Sequence, residues 1–295
     1  FWPNFLRLTK RSGARIAVIN CRISDRSFPS YKRFRFWMPR LLESTLRNVD
    51  RFLAQTEEDR RRLVEIGAPE TKIAVTGNLK FDAAPPPLPG IVASLREDFE
   101  RAGGGPVLVC GSTLEDEEGS LLSAFRNIMV DHPKAVMILA PRHPERFNEV
   151  AALVEKLGFR MCRRSLWSGE TLAGGVLLLD TIGELAAIYS LATVAFVGGS
   201  LVPRGGHNII EPALYGVPIV IGNHYENFRD VVNFFAGRNA VRIVGLSELP
   251  LVLIELIENR EERARLGRNA LEALESQRGA TARTVAALIE LMGAS

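Results

Sequence analysis

The sequence predicts an α/β protein built from two Rossmann-like, doubly wound units. Three observations carry that reading. Short apolar runs recur along the chain without polar alternation, as in strands buried on both faces of a parallel sheet. Amphipathic stretches of helical period separate them and set up a βαβ rhythm. One proline-rich stretch, FDAAPPPLPG at 81–90, interrupts the rhythm and reads as a stiff, extended linker. The expected organisation is an N-terminal unit at 1–84, a linker and connecting helix at 85–104, a second unit at 105–278 and a C-terminal helix at 279–295.

The elements follow in order. Strands are expected at 15–20 (RIAVIN), 51–55 (RFLAQ) and 72–78 (KIAVTGN) in the first unit. The second unit supplies 106–112 (PVLVCGS), 135–141 (AVMILAP), 176–180 (VLLLD), 194–199 (VAFVGG), 218–223 (PIVIGN) and 240–244 (AVRIV). TEEDRRRLVEIGA at 56–68 is a helix whose Thr56 can cap it, with acids in the first turn. The last stretch, from 261 onward, reads as two helices broken near Gly279. Three strands are few for a complete doubly wound domain, and the chain opens on FWPNF without a Met. Together these suggest an N-terminal unit that begins part-way through.

Composition excludes several classes. A chain of 295 residues holds two ordinary domains, and 46% hydrophobic with 24% charged residues is usual for a water-exposed globular protein. The net charge of +3 is only mildly basic, and no Lys/Arg block suggests a nucleic-acid partner. Cys21, Cys110 and Cys162 form no CxxC pair, which favours a reducing compartment. No apolar run is long enough to span a bilayer, and no signal peptide opens the chain. No His, Cys or acid cluster has metal spacing, so no metal is expected. GxGxxG, P-loop and GxSxG motifs are absent.

Candidate ligand residues gather at strand carboxyl ends, where open α/β sheets bind ligands. Gly111, Ser112 and Thr113 can bring backbone amides to a phosphate, or form an ordinary capped turn. Arg142, after Pro141, offers a planar fork to phosphate or carboxylate. Ile182, Gly183 and Glu184 open a helix, where free N–H groups can read a base edge or simply start the helix. The most specific stretch is SLVPRGGHNIIEPALYGVPIVIGNHYENF, 200–228. Gly205 and Gly206 allow close backbone approach, and His207 is a possible polar contact. Asn208 can cap a helix from about Ile209, and Glu211 in its first turn can accept from a ribose diol or merely complement the helix dipole. In the first unit, Asn20, Arg22, Ser24 and Arg26 follow a strand and suit an anionic substrate. Lys80 follows another strand and can offset charge on a leaving phosphate. YKRFRFWMPRLLESTL, 31–46, interleaves basic and aromatic residues, which suits an anionic membrane surface or a packed helix with solvated charges.

RIAVINCRISDRSF, QTEEDRRRLVEIGA, VTGNLKFD, GSTLEDEE, LAPRHPERF and the 200–228 stretch resemble the bacterial lipid A 3-deoxy-D-manno-octulosonic acid (Kdo) transferases, glycosyltransferase family 30, over essentially the whole chain. The resemblance implies a GT-B fold, CMP-Kdo as donor, the lipid A precursor (lipid IVA) as acceptor, and no metal. It implies work at the cytoplasmic face of the inner membrane, in lipopolysaccharide synthesis. By motif, Pro141, Arg142, Ile182, Gly183, Glu184, Asn208, Ile209, Ile210 and Glu211 match CMP-binding positions, and Lys80 matches a transition-state stabiliser. Gly111, Ser112, Thr113, Gly205, Gly206 and His207 become possible phosphate or Kdo contacts. The family's general-base Glu, an acid before WPN and the membrane anchor have no counterpart here. The expectation is therefore a chain that binds CMP weakly and catalyses poorly or not at all.

Overall fold

The computed structural model describes residues 1–293. Its strands are β1 (Ala17–Cys21), β2 (Arg51–Ala54), β3 (Ile73–Val75), β4 (Val107–Thr113), β5 (Val136–Pro141), β6 (Met161–Arg163), β7 (Gly175–Leu178), β8 (Val194–Val197), β9 (Ile219–Gly222) and β10 (Arg242–Val244). All nine expected strands are present. The unexpected one, β6, is a three-residue strand with no fully buried side chain, so it carries no apolar run to read.

The chain divides into two compact units, Phe1–Ala83 with the stretch from Ser276, and Ala84–Glu275. The first holds a three-stranded parallel sheet in the order β1-β2-β3. Its core includes Leu46, Phe52, Leu63 and Ile66, all fully buried. The helix Glu57–Glu65 starts where expected, with the Asp59 N–H donating to Thr56 Oγ1 at 3.0 Å. The C-terminal helix Ala280–Gly293 belongs to this unit rather than standing apart. Asp82 accepts from the N–H of Gly279 at 2.6 Å and from that of Thr281, and Arg283 Nε donates to the Thr76 carbonyl at 2.9 Å. Residues 294–295 of the expected helix lie outside the described residues.

The 31–46 stretch is two helices, Phe28–Trp37 and Pro39–Arg47, not one continuous element. Pro39 cannot donate to the carbonyl one turn back, and Met38 before it leaves helical backbone at φ −135° and ψ 59°. The first of these helices buries none of its side chains, and the second buries Leu42, Thr45 and Leu46.

The second unit carries seven parallel strands in the order β10-β9-β8-β4-β5-β7-β6. Both faces are covered, as the unbroken apolar runs require. Leu108 and Cys110 of β4 join one cluster, while Val107 and Val109 join the other. The stretch 84–89 has no regular structure, and the helix Gly90–Arg101 packs Leu95 and Phe99 into the second cluster. From β4 the chain winds outward through β5 and then resumes on β4's other side with β8, β9 and β10. The carboxyl ends of β4 and β8 therefore form a topological switch point, the place where such sheets bind ligands. No helix among the described residues is long and apolar enough to cross a membrane.

Candidate functional site

At the end of β4 the small residues serve packing first. A β-carbon at Gly111 would lie 1.9 Å from Tyr189 Oη, so glycine is required there by a buried aromatic. Thr113 is fully buried, and its hydroxyl donates to Glu118 Oε1 at 3.0 Å. Ser112, half-buried at φ 55°, remains a candidate ligand contact. Packing thus accounts for the glycine at 111 and for the Thr113 hydroxyl, while the expected approach of their backbone amides to a phosphate is a separate matter.

The Gly205–Glu211 stretch keeps the predicted backbone. Gly205 and Gly206 both have positive φ, 87° and 72°. A β-carbon on Gly205 would fall 2.4 Å from Asn227 Nδ2. Asn227 clamps this turn, its N–H donating to the Gly205 carbonyl at 2.9 Å and its Nδ2 to the Arg204 carbonyl at 3.1 Å. The following helix is only Ile210–Ala213, one residue later than expected and a single turn. Its macrodipole is correspondingly small, so the phosphate cannot be assigned to the helix end alone. Asn208 does accept from the Ile210 N–H, at 3.2 Å, and its Nδ2 donates to Glu211 Oε1 at 3.2 Å. Ile209 and Ile210 are each 1% exposed, so their side chains are core and only their main chain can face a ligand.

Electrostatics join this stretch to the end of β5. Burial pushes the Glu211 carboxyl above its ordinary value, while the Asn208 hydrogen bond and the Arg142 cation pull it back. Burial also lowers the His207 imidazole, and Arg142 and His143 lower it further, so it is neutral near pH 7. His207 Nε2 is buried without a hydrogen-bond partner. The Arg142 side chain is exposed, and the residue's backbone N–H donates to the Thr113 carbonyl at 2.9 Å, tying the main chain there to β4. Pro141 is the buried last residue of β5. Arg142, His207, Asn208 and Glu211 thus make one cluster of cation, neutral imidazole, amide and carboxylate at the switch point.

Ile182, Gly183 and Glu184 lie after β7, the neighbour of β5 on the same sheet edge. Ile182 is 82% exposed, Gly183 has φ 90°, and a side chain there would meet open space. That leaves room for a planar base against the loop. Glu184 is already engaged, by Arg164 at 2.8 Å and by the Thr181 hydroxyl. The helix that follows is the four-residue Leu185–Ile188.

In the first unit, β1 and the turn after β3 meet at the carboxyl edge. Asn20, at φ 50°, accepts the Leu79 N–H on Oδ1 at 3.1 Å. Desolvation and the neighbouring Arg22 cation hold the Lys80 ammonium below its ordinary value. Arg22 and Lys80 therefore concentrate positive charge in one place. Ser24 instead hydrogen-bonds Ser27 at 2.9 Å. Arg26 lines a cavity of about 600 Å³ with Phe1, Tyr31, Phe34 and Leu42. No sequence motif marked that cavity, because its walls come from three separate helices. Glu117 was also missed, since acids after a strand resemble any helix start.

Residues 1–83 match the family described as 3-Deoxy-D-manno-octulosonic-acid transferase (kdotransferase). The 3-deoxy-D-manno-octulosonic acid transferase of Bordetella pertussis is 36% identical, over 99% of this chain and 67% of its own length. The chain thus spans about two thirds of that relative. Among solved structures, the C-terminal CMP-Kdo binding domain of WaaA from Acinetobacter baumannii is 33% identical, with a TM-score of 0.59, over 63% of this chain and 98% of that domain. Anabaena HepE in complex with UDP has a TM-score of 0.59 at 14% identity, over 98% of this chain and 75% of its own, a likeness of fold alone. The Rossmann-like, GT-B class of fold expected from the sequence is the one observed.

Proposed function

The chain belongs to the family of Kdo transferases, which are glycosyltransferases, and from that premise we propose that it binds CMP-Kdo and serves Kdo transfer to the lipid A precursor (lipid IVA). One observation carries the reading. A CMP-Kdo binding domain is similar to this chain over 63% of the chain's length, and the unit Ala84–Glu275 holds Arg142, His207, Asn208 and Glu211. In this reading Glu211 accepts from the ribose hydroxyls, with Asn208 fixing one carboxylate oxygen at 3.2 Å. Arg142 meets the single phosphate of CMP, and His207 offers a neutral ring nitrogen beside it. The loop Ile182–Glu184 borders the base, while Ile209 and Ile210 contribute main chain. Transfer is attack of an acceptor hydroxyl on the anomeric carbon, with CMP leaving and the hydroxyl proton passing to a general base. Lys80 matches the family's transition-state stabiliser by motif, and its ammonium, held below its ordinary value by desolvation and Arg22, is the group proposed for that role. The reading needs no metal or cofactor and no nucleic-acid partner.

The acceptor side and location belong to the same proposal. Asn20, Arg22 and Arg26 face an anionic acceptor. Trp2, the N-cap of the helix Pro3–Arg11, and Phe5 and Leu8 within it are at least 59% exposed, and Phe36 and Trp37 are 79% and 74% exposed. Arg7, Lys10, Arg11, Arg33 and Arg40 accompany them. Aromatic and basic residues mixed in this way suit the anionic cytoplasmic face of the inner membrane.

The test is calorimetry of the chain with CMP, UMP and UDP, alongside Arg142→Ala and Glu211→Ala. Selective CMP binding, weakened about tenfold or more by each substitution, is expected. A preference for UDP, or CMP binding indifferent to both substitutions, overturns the donor assignment.

A further inference from the structure

Glu117 is fully buried, and main-chain donors fill both of its oxygens. Oε1 accepts from the N–H groups of Ser200 and Leu201, each at 2.9 Å. Oε2 accepts from those of Gly199 at 2.7 Å and Leu114 at 2.9 Å. Three successive amides of the loop leaving β8 therefore converge on one carboxylate. Such a run of amides is an anion-binding concavity, and it lies at the switch point where a ligand phosphate would be sought. Here the protein's own carboxylate occupies it.

The surroundings are shaped to this arrangement. Asp116, the residue before, has φ 73°, an uncommon region for a non-glycine residue. A β-carbon on Gly198 would meet the Ser112 carbonyl oxygen at 2.5 Å and Thr113 Cα at 2.6 Å before Glu117 Oε2 at 2.8 Å, so glycine there lets the end of β8 lie against β4 beside the carboxylate. Burial pushes the carboxyl up, and the four N–H donors oppose that shift. The loop it holds is wired onward to the cluster described above. Ser200 Oγ accepts from the Gly222 N–H at 2.8 Å, and the Ser200 carbonyl accepts from the His224 N–H at 2.9 Å. The Gly199 carbonyl accepts from the Gly206 N–H at 2.7 Å. A β-carbon on Gly199 would lie 2.8 Å from His207 Cδ2, so that ring rests against the same loop.

We propose that Glu117 is a positioning residue for the donor site: its carboxylate fills the amide nest at the end of β8 and thereby holds the Gly206–His207 turn against it. Two consequences follow. The donor phosphate is received on the Arg142 side, not by the amides of 199–201. The placement of His207, Asn208 and Glu211 depends on a charge that no ligand touches. The inference rests on the CMP-Kdo reading for its binding readout.

The experiment compares the wild-type chain with Glu117→Gln and Glu117→Asp. Glutamine keeps the size, but whichever way its amide turns, one pair of N–H donors faces an NH2 group. CMP affinity is expected to fall about tenfold or more in folded Glu117→Gln, and to be partly retained in Glu117→Asp. Hydrogen exchange of the Gly206 amide is expected to quicken together with that of Gly199, Ser200 and Leu201. A folded Glu117→Gln of lowered melting temperature but unchanged CMP affinity and unchanged Gly206 exchange overturns the proposal. Should the wild type not bind CMP, the donor reading fails, and Gly206 exchange alone decides the positioning claim. Should the variants not fold, the wild type decides. Amides 199–201 protected before CMP and unaltered by it support the proposal, and protection that appears only with CMP makes them the phosphate site and overturns it.

Discussion

Gly111→Ala separates packing from ligand binding at the end of β4. The added β-carbon would sit 1.9 Å from Tyr189 Oη, 2.8 Å from Cζ and 3.1 Å from Leu185 Cδ1. Carbon and oxygen atoms in contact normally rest about 3.5 Å apart, so the hydroxyl must retreat by more than about 1 Å. It has nowhere easy to go, because Tyr189 is 1% exposed and packed among Val109, Ile138 and Ala195. Inserting a methyl into such a core costs about 1–3 kcal/mol, and this overlap argues for the upper half of that range. At about 2 kcal/mol and a urea slope of about 3 kcal/mol/M, the midpoint for the second unit moves down by about 0.7 M. Trp167 packs against the same cluster and gives a fluorescence signal for that unit. Tyr189→Phe removes the nearest atom of the overlap, so the double substitution should recover part of the loss, a coupling of about 1 kcal/mol in the mutant cycle. CMP affinity of the folded Gly111→Ala protein should stay within about threefold of the original, which is under about 1 kcal/mol. Unchanged stability with abolished CMP binding would refute this reasoning and restore Gly111 as a phosphate contact.

Three further outcomes are expected. CMP binding should rise with pH through the raised pKa of Glu211, since the ionised carboxylate accepts the ribose hydroxyls. Its folded-state pKa lies above the unfolded one, so its contribution to stability runs the other way, present at low pH and lost as pH rises through the folded value. Calorimetry across the acid range checks this, with Glu211→Gln expected to remove the step and a flat wild-type profile counting against it. For Asp82, burial alone would raise the carboxyl, but the N–H groups of Thr281, Gly279 and Ala280 outweigh it and hold it low, so its stabilisation is present above the unfolded pKa and lost as pH falls. Asp82→Asn should cost about 1–2 kcal/mol and quicken amide exchange at 279–283, measured by mass spectrometry, and slow exchange there would contradict the cap. Phe36→Glu with Trp37→Glu should weaken binding to vesicles containing phosphatidylglycerol by about tenfold or more, read by co-sedimentation, and undiminished binding would remove that face from the membrane reading.

How much of this was legible depends on range. Strands buried on both faces announce themselves as apolar runs, and the two compact units part at Ala83–Ala84, inside the proline-rich 81–90 stretch. The backbone of the Gly205–Glu211 stretch was legible for the same local reason, since Gly205, Gly206 and Asn208 each have a backbone role that only a few residue types can fill. Long-range pairing was not. Asp82 and Gly279 are 197 residues apart, and nothing near either says that the last helix joins the first unit. The edge strand β6 escaped because its three residues need not be apolar. In 31–46 the basic and aromatic interleaving was visible, but the break at Pro39 divides it between a helix with no buried side chain and a helix with three.

The acids of TLEDEE show the deeper difficulty. Read locally, charge after a strand speaks against a phosphate at that place and otherwise looks like solvated helix start. In the fold, Glu117 and Glu118 are both buried, at 0% and 1% exposed, and each has a different partner. Glu117 is met by four main-chain amides, whereas Glu118 is met by the Thr113 hydroxyl and by Arg146 through both oxygens, at 2.8 and 3.2 Å. A buried carboxylate is tolerable only when its acceptors are filled, so each one reports a set of donors that the chain has brought to it. For Glu118 the donors are side chains that brace the end of β4 and the loop after β5. For Glu117 three of the four are backbone amides of the loop that leads to Gly206 and Glu211, and the fourth is that of Leu114. Local sequence rules weigh an acid by its own helix turn. In this fold the two acids belong instead to the strand ends opposite them, where their donors lie.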